Sequence, residues 1–275
     1  MSEYYDKDGL LNLLKKYDLV ARKSLGQNFL VDSRVLDKIL ESAELKDSDR
    51  VVEVGAGPGI LSRGLAGLVR ELISLEIDKN MILPWHDTMR NFTNAKIIYQ
   101  DVLRYLPVDK PYKLVANIPY YITSPILKHF LRKQSIRRPE LIILMIQKEV
   151  AERICDKKKP TLLSWEIRVF GSPEIVCHVP PASFYPSPRV DSAVIRIRLF
   201  DKPLLEEKMP DEFFQLLEIS YKQPRKTLMN NLLSSRRWPK DLILRMFEKS
   251  GIDEKARPHQ LDFDDWRKLY ALLIV

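Results

Sequence analysis

The sequence predicts an α/β domain on a mostly parallel sheet with an antiparallel edge, followed by a small all-α domain. Three observations carry this expectation. Short apolar runs alternate with helical patterns through the first half of the chain, as in a parallel sheet with helices on both faces. The last two apolar runs, 174–178 and 192–199, are joined by a proline-rich turn (Pro180, Pro181, Pro186, Pro188) and no helix, which suits an antiparallel edge. After 201–203 the pattern becomes short helices punctuated by Pro210, Pro224, Pro239, Gly251 and Pro258. We therefore expect one domain over 1–201, with a basic and helical extension at 1–32, and a second over 202–275.

The elements follow in order. Leu10, Leu11, Leu13, Leu14 and Tyr17 lie near helical spacing within 7–20, predicting a short amphipathic helix packed on the body rather than a membrane or partner helix. A basic patch, Arg22-Lys23-Ser24, comes next. Residues 33–44 read as a helix, with Asp32 or Ser33 as its N-cap. Strands are expected at 51–54, 72–76, 95–99, 114–116 and 141–147, with a helix at 60–68.

Composition narrows the class. Of 275 residues, 45% are apolar and 30% charged, which fits a globular chain and not a disordered one. No stretch approaches the ~20 apolar residues that span a bilayer. The opening Met1-Ser2-Glu3-Tyr4-Tyr5-Asp6 lacks a secretory pattern. Cys155, Cys177 and four histidines show no paired ligand spacing, so neither a disulfide framework nor a metal is expected, and the reducing cytoplasm fits. Lys and Arg outnumber Asp and Glu by 45 to 37, a net charge of +8. Such a balance favours polyanionic partners.

Val51-Val52-Glu53-Val54-Gly55-Ala56-Gly57-Pro58-Gly59 is a strand running into a glycine turn. Such turns bring backbone N–H groups and a helix N-terminus close to a ligand. Gly55, Gly57 and Gly59 fall as G-x-G-x-G, with Ile60 where a dinucleotide fingerprint wants its last glycine. Glu76 ends the next strand, placed to accept both ribose hydroxyls, and Asp101 follows the strand after, placed to accept from an adenine amino group. Either acid alone reads as a solvated loop carboxylate. Together with the turn they point to a nucleoside cofactor at the carboxyl ends of three strands. Glu53, inside the first strand, is expected to bond backbone amides of the turn.

The fourth strand ends in Asn117-Ile118-Pro119-Tyr120. An adenine amino nitrogen is a poor nucleophile because its lone pair is delocalised into the ring. An enzyme that alkylates it must accept hydrogen bonds from both N–H groups. The side-chain oxygen of Asn117 and the carbonyl of Ile118 suit this, with Pro119 fixing the turn. Tyr120 offers a face on which an extruded base stacks. The alternative is a plain proline turn with Tyr120 in the core. No G-x-S-x-G motif and no paired nucleophile and histidine are evident, consistent with displacement at a sulfonium methyl driven by positioning and electrostatics.

From Arg22 onward the chain resembles the small-subunit ribosomal RNA adenine-N6,N6-dimethyltransferase family. The resemblance rests on Gln27-Asn28-Phe29-Leu30, the 53–59 turn, Glu76-Ile77-Asp78, Asp101, Asn117-Ile118-Pro119-Tyr120 and Phe184-Tyr185-Pro186-Ser187-Pro188-Arg189-Val190-Asp191-Ser192-Ala193, in that order. It implies a class I (Rossmann-like) S-adenosylmethionine-dependent methyltransferase domain and a small helical domain. The implied product is dimethyladenosine at two adjacent adenosines in the 3′-terminal hairpin loop of small-subunit (16S-type) rRNA, made on the immature small subunit. It also implies Asn28 and Leu30 near the methionine end of S-adenosylmethionine, Gly55 in the glycine turn, Glu76 on the ribose, Asp101 on the adenine and Asn117 at the transfer site. Phe184 would wall the target-base pocket.

The macrolide-resistance enzymes of large-subunit rRNA share this core. The outer segments 223–232 and 257–261 resemble the small-subunit branch instead. Pro224 departs from a usual basic residue, Lys157-Lys158-Lys159-Pro160 replaces a glycine-containing loop, and Pro84-Trp85-His86 interrupts a usual helix. Arg22, Lys23, Arg225 and Lys226, with Arg236-Arg237, are the candidate phosphate contacts on a monomer. A mainly non-catalytic assembly factor and a DNA adenine methyltransferase are the competing classes.

Overall fold

The computed structural model describes residues 6–107, 111–133, 137–205 and 211–274. The chain forms two compact units: Met1–Glu152 with Gly171–Asp201, and Arg153–Phe170 with Lys202–Val275.

In the first unit, α1 (Lys7–Lys16) precedes β1 (Phe29–Leu30) and α2 (Ser33–Ser42). Next come β2 (Arg50–Val54), α3 (Ile60–Ala66), β3 (Glu71–Glu76), α4 (Ile82–Thr88) and β4 (Ala95–Tyr99). β5 (Lys113–Asn117), α5 (Thr123–Arg132), β6 (Leu141–Gln147) and the start of α6 (Lys148–Cys155) follow. The chain leaves for the second unit, through α7 (Leu162–Arg168), and returns as β7 (Gly171–Val179), β8 (Phe184–Tyr185) and β9 (Ser192–Leu199).

Seven strands form one sheet in the order β4-β3-β2-β5-β6-β9-β7. The first five are parallel, and β9 runs antiparallel to both of its neighbours. This is the parallel sheet with an antiparallel edge that the sequence predicts. Central strands are covered on both faces, so six consecutive residues of β6 are buried and its sequence is a continuous apolar run. Edge positions are more permissive, and Pro173 lies in the edge strand β7.

The helices are fixed by caps and one apolar face. Asp32, not Ser33, caps α2 by accepting from the Arg34 N–H at 3.1 Å. Val35, Leu36, Ile39 and Ser42 form its buried stripe. α3 ends at Ala66, two residues short of the predicted 68, where Gly67 follows. α1 buries Leu10, Leu13 and Leu14. Leu10 and Leu14 join Phe29, Ile60 and Met81 in a small separate core, and Lys16 pairs with Asp87 at 2.6 Å. Pro84 does not break α4, because it sits in the first turn, where an N–H has no intrahelical partner to lose.

The second unit contains α7, α8 (Asp211–Ser220), α9 (Leu228–Ser235), α10 (Lys240–Ser250) and α11 (Phe263–Leu273). Residues 153–170 belong to this unit and not, as the sequence predicts, to the first domain. Trp165 stacks on Phe263 with centroids 6.2 Å apart, and Phe170 stacks on Phe214 at 5.9 Å. The Tyr221 hydroxyl lies 3.1 Å from Trp165 Nε1 and 2.8 Å from the Pro160 carbonyl. These aromatic contacts, distant in sequence, draw the segment into the helical unit. No described helix is long and apolar enough to cross a membrane.

Candidate active site

In an open α/β sheet, ligands bind beyond the carboxyl ends of strands where the strand order reverses. Here that point lies between β2 and β5, each paired in parallel with the other. The residues after β2, β3, β4 and β5 line one cleft, together with 25–30 and Phe184.

The glycine turn is dictated by space. Gly55, Gly57 and Gly59 all have positive φ. A Cβ on Gly55 would stand 2.8 Å from the Asn117 carbonyl oxygen, and one on Gly57 would stand 3.3 Å from the Phe29 ring. The turn folds back on β3, with the Gly55 and Ala56 N–H groups donating to the Leu75 carbonyl at 2.9 and 3.2 Å. Against Gly59 stands Trp85, 3.2 Å from where a Cβ would be. The Pro84-Trp85-His86 departure thus has a packing role: Trp85 is buried on the turn, while His86 is exposed.

Glu76 is buried, and three backbone amides converge on it. Gly57 N–H donates to Oε2 at 2.8 Å; Ile77 and Asp78 N–H groups donate to Oε1 at 2.8 and 2.7 Å. Burial pushes its pKa up, while those amides pull it down. Asp101 accepts from the Leu103 N–H at 2.9 Å through Oδ1 and is half-buried at the cleft.

Glu53 corrects an expectation. It bonds no amide of the turn. Its Oε2 accepts from the Ser62 hydroxyl at 2.5 Å and the Ser74 hydroxyl at 2.6 Å. The cause is register: Glu53 lies opposite Ser74 in the β2–β3 ladder, and its side chain meets Ser62 of α3, not the turn. Trp85 Nε1–H donates to Ser62 Oγ at 2.9 Å, which joins α4 to the same network.

Asn117 closes β5 at the cleft, and its side-chain amide makes no hydrogen bond with any described residue. Ile118 is buried and Pro119 has φ −55° and ψ 137°. The Tyr120 hydroxyl is 2.7 Å from Ser192 Oγ, a fully buried residue at the start of β9. Tyr120 is partly exposed and lines the cleft, with its hydroxyl anchored inward on Ser192. Sequence reasoning gave Ser192 no role; its place in the 184–193 motif was the only signal.

Asn28 and Leu30 line the cleft, with Asn28 Nδ2 donating to the Gly26 carbonyl at 3.1 Å. Leu30 pairs with Phe184 across the two-residue β1–β8 ladder, so both stand at one end of the cleft. Ser183 Oγ donates to Asp32 Oδ2 at 3.0 Å and Val31 N–H to the Ser183 carbonyl at 2.9 Å, hanging the Phe184 loop on the N-terminal segment.

The basic candidates lie outside the cleft. Lys23 is exposed, and Arg22 gives one guanidinium nitrogen to Asp78 at 3.3 Å. In the helical unit Arg225 and Lys226 are exposed in the turn before α9. Lys157, Lys158 and Lys159 are exposed, and the amides of the last two donate to Asp156, as in a solvated loop.

The cleft suits S-adenosylmethionine on its own terms. It offers a turn with little room for side chains and two acidic side chains, Glu76 and Asp101, in one lining. Fold and cleft together define a class I S-adenosylmethionine-dependent methyltransferase. The family is narrower still. The family model described as ribosomal RNA adenine dimethylase matches residues 19–274, and the chain belongs to that family. It is 38% identical to ribosomal RNA small subunit methyltransferase A of Dehalococcoides mccartyi over 94% of this chain and 90% of the relative. It is also 38% identical to the enzyme of that name from Clostridioides difficile, over 95% and 93%. Among solved structures, a dimethyladenosine transferase from Plasmodium falciparum matches 88% of this chain and 95% of its own, with TM-score 0.76 and 27% identity. The 23S rRNA methyltransferase ErmE matches 90% and 100%, with TM-score 0.71 and 28% identity.

Proposed function

We propose that this protein dimethylates the N6 amino groups of two adjacent adenosines in the 3′-terminal hairpin loop of small-subunit rRNA, acting as a cytoplasmic monomer on the immature small subunit. The observation that carries the reading is the free Asn117 amide, set beside the glycine turn in one cleft with Glu76 and Asp101. The small-subunit branch is supported by the 38% identity to enzymes of that name.

When bound, S-adenosylmethionine supplies a methyl group on a sulfonium, whose departure as a neutral thioether needs no acid. The chain's own residues then bind and orient. Glu76 takes the ribose hydroxyls on lone pairs that its three amides leave over, and Asp101 takes the adenine amine on the oxygen not used by Leu103. Asn28, Leu30, Gly55, Gly57 and Gly59 shape the walls. For the target base, Asn117 Oδ1 and the Ile118 carbonyl accept the two N–H bonds and keep the nitrogen lone pair out of the ring. Pro119 holds that turn, Tyr120 stacks on the base with its hydroxyl held by Ser192, and Phe184 closes the far wall. Arg22, Lys23, Arg225 and Lys226 contact phosphates.

Asn117→Ala is expected to lower methyl transfer at least ~100-fold while leaving equilibrium binding to unmodified small subunits unchanged. Transfer rates and particle co-sedimentation read the two effects separately. Lost particle binding would make Asn117 structural. Retained transfer would remove it from the reaction.

A further inference from the structure

We infer that Asp78 is a positioning residue that latches residues 22–28 over the cofactor cleft. This rests on the proposed assignment of that cleft to the cofactor.

The segment between α1 and β1 packs on the small core through Leu19 and Ala21, but beyond Ala21 it has little regular structure. It contains a single 3₁₀ turn, Lys23–Leu25, and Val20 within it is 80% exposed. Yet residues 25–28 form part of the cleft wall. Gly26 has φ +63°, and a Cβ there would meet Pro119 Cβ at 3.0 Å. The segment therefore lies directly on the turn that carries Asn117.

One side chain fastens it. Asp78, 2% exposed, accepts from Gln27 Nε2 at 2.9 Å through Oδ2, and through Oδ1 from Arg22 Nη1 at 3.3 Å and the Asn80 N–H at 3.1 Å. Gln27 returns the bond, its Oε1 accepting from the Arg22 N–H at 2.8 Å. Residues 22 and 27 are thus cross-linked to each other and to Asp78. Among the described residues no other side chain outside the segment hydrogen-bonds to residues 22–28. A carboxylate buried this deeply is tolerated only with charged or hydrogen-bonded partners, and the segment supplies two of the three.

The latch is joined to the ribose position. The Asp78 N–H donates to Glu76 Oε1 at 2.7 Å. One short span thereby presents Glu76 to the cleft and Asp78 to the segment that covers it. Releasing the segment frees the wall formed by 25–28, whereas Asn117 stays in β5 and Tyr120 stays bonded to Ser192. Loss of the latch is therefore a loss of cofactor affinity, with methyl transfer at saturating cofactor preserved.

The hydrogen-bond pattern allows a rescue experiment. Asp78→Asn sets two amides against each other, and Gln27→Glu sets two carboxylates against each other. The double variant restores one donor facing one acceptor. In it, the amide nitrogen introduced at position 78 donates to the carboxylate introduced at position 27. The amide oxygen at position 78 still accepts from Arg22 and Asn80. Equilibrium binding of S-adenosylmethionine and steady-state kinetics are measured on the full chain. Each single variant should bind the cofactor roughly tenfold or more weakly. Its KM should rise in parallel, with kcat within about twofold. The double variant should return to within about threefold of the wild type. Single variants that bind as the wild type does, or a double variant as weak as Asp78→Asn alone, overturn the latch. A wild type that does not bind S-adenosylmethionine at all overturns instead the assignment of the cleft.

Discussion

Glu53 couples the fold's stability to a single buried proton. It is fully buried, two serine hydroxyls share its Oε2, and its Oε1 has no partner among the described residues. Burial, with the Glu76 charge nearby, pushes its pKa from 4.5 up to about 7. The folded state therefore holds this proton more tightly than the unfolded chain. The stabilisation is full below the ordinary glutamate value and is lost as pH rises through about 7. Glu53→Gln keeps an oxygen for both serines and removes the titration. Urea midpoints of the two proteins, compared between those pH values, should converge or cross as the wild type alone loses stability. Parallel curves would mean that Glu53 is ionised throughout. The sequence made Glu76, Asp101 and Asn117 legible because each ends or follows a strand beside a glycine turn. It could not reveal Glu53's partners, because they depend on the β2–β3 register and on where α3 comes to rest. Ser192 was hidden for the same reason: its contact with Tyr120 spans 72 positions.

At the scale of elements, the N-terminal helix supports the cleft from behind. Leu14 of α1 packs in the small core with Phe29 and Ile60, one residue from Asn28 and one from Gly59. Leu14→Ala should destabilise the protein by about 2–5 kcal/mol and weaken cofactor binding, since Phe29 loses its backing. Thermal melting with and without S-adenosylmethionine checks both effects; a stability loss with unchanged cofactor affinity would separate α1 from the site. The leucine spacing announced α1, and apolar runs announced the seven strands of the main sheet. The β1–β8 ladder was not announced. Two residues per strand carry no measurable period, and only tertiary contacts show that Leu30 and Phe184 are paired. α4 was obscured by Pro84, whose place in the first turn makes it harmless.

At the scale of the whole molecule, a net charge of +8 accompanies a cleft whose charged lining residues are the acids Glu76 and Asp101, so the excess of basic residues lies elsewhere. Arg225→Ala with Lys226→Ala should weaken rRNA binding and flatten its salt dependence by roughly one unit of slope per lost contact. Binding isotherms across a salt series read this directly, and an unchanged slope would take both residues out of the footprint. The composition change near 201–203 was visible in the sequence. The recruitment of 153–170 to the helical unit was not, because Trp165 and Phe170 meet their aromatic partners some 40 to 100 positions later. The central claim is tested by transfer of labelled methyl groups from S-adenosylmethionine to unmodified small subunits, large subunits and naked DNA in parallel, followed by nucleoside analysis. The account predicts dimethyladenosine on small-subunit rRNA alone. Product on large-subunit rRNA or DNA, or small subunits bound but left unmethylated, would contradict it.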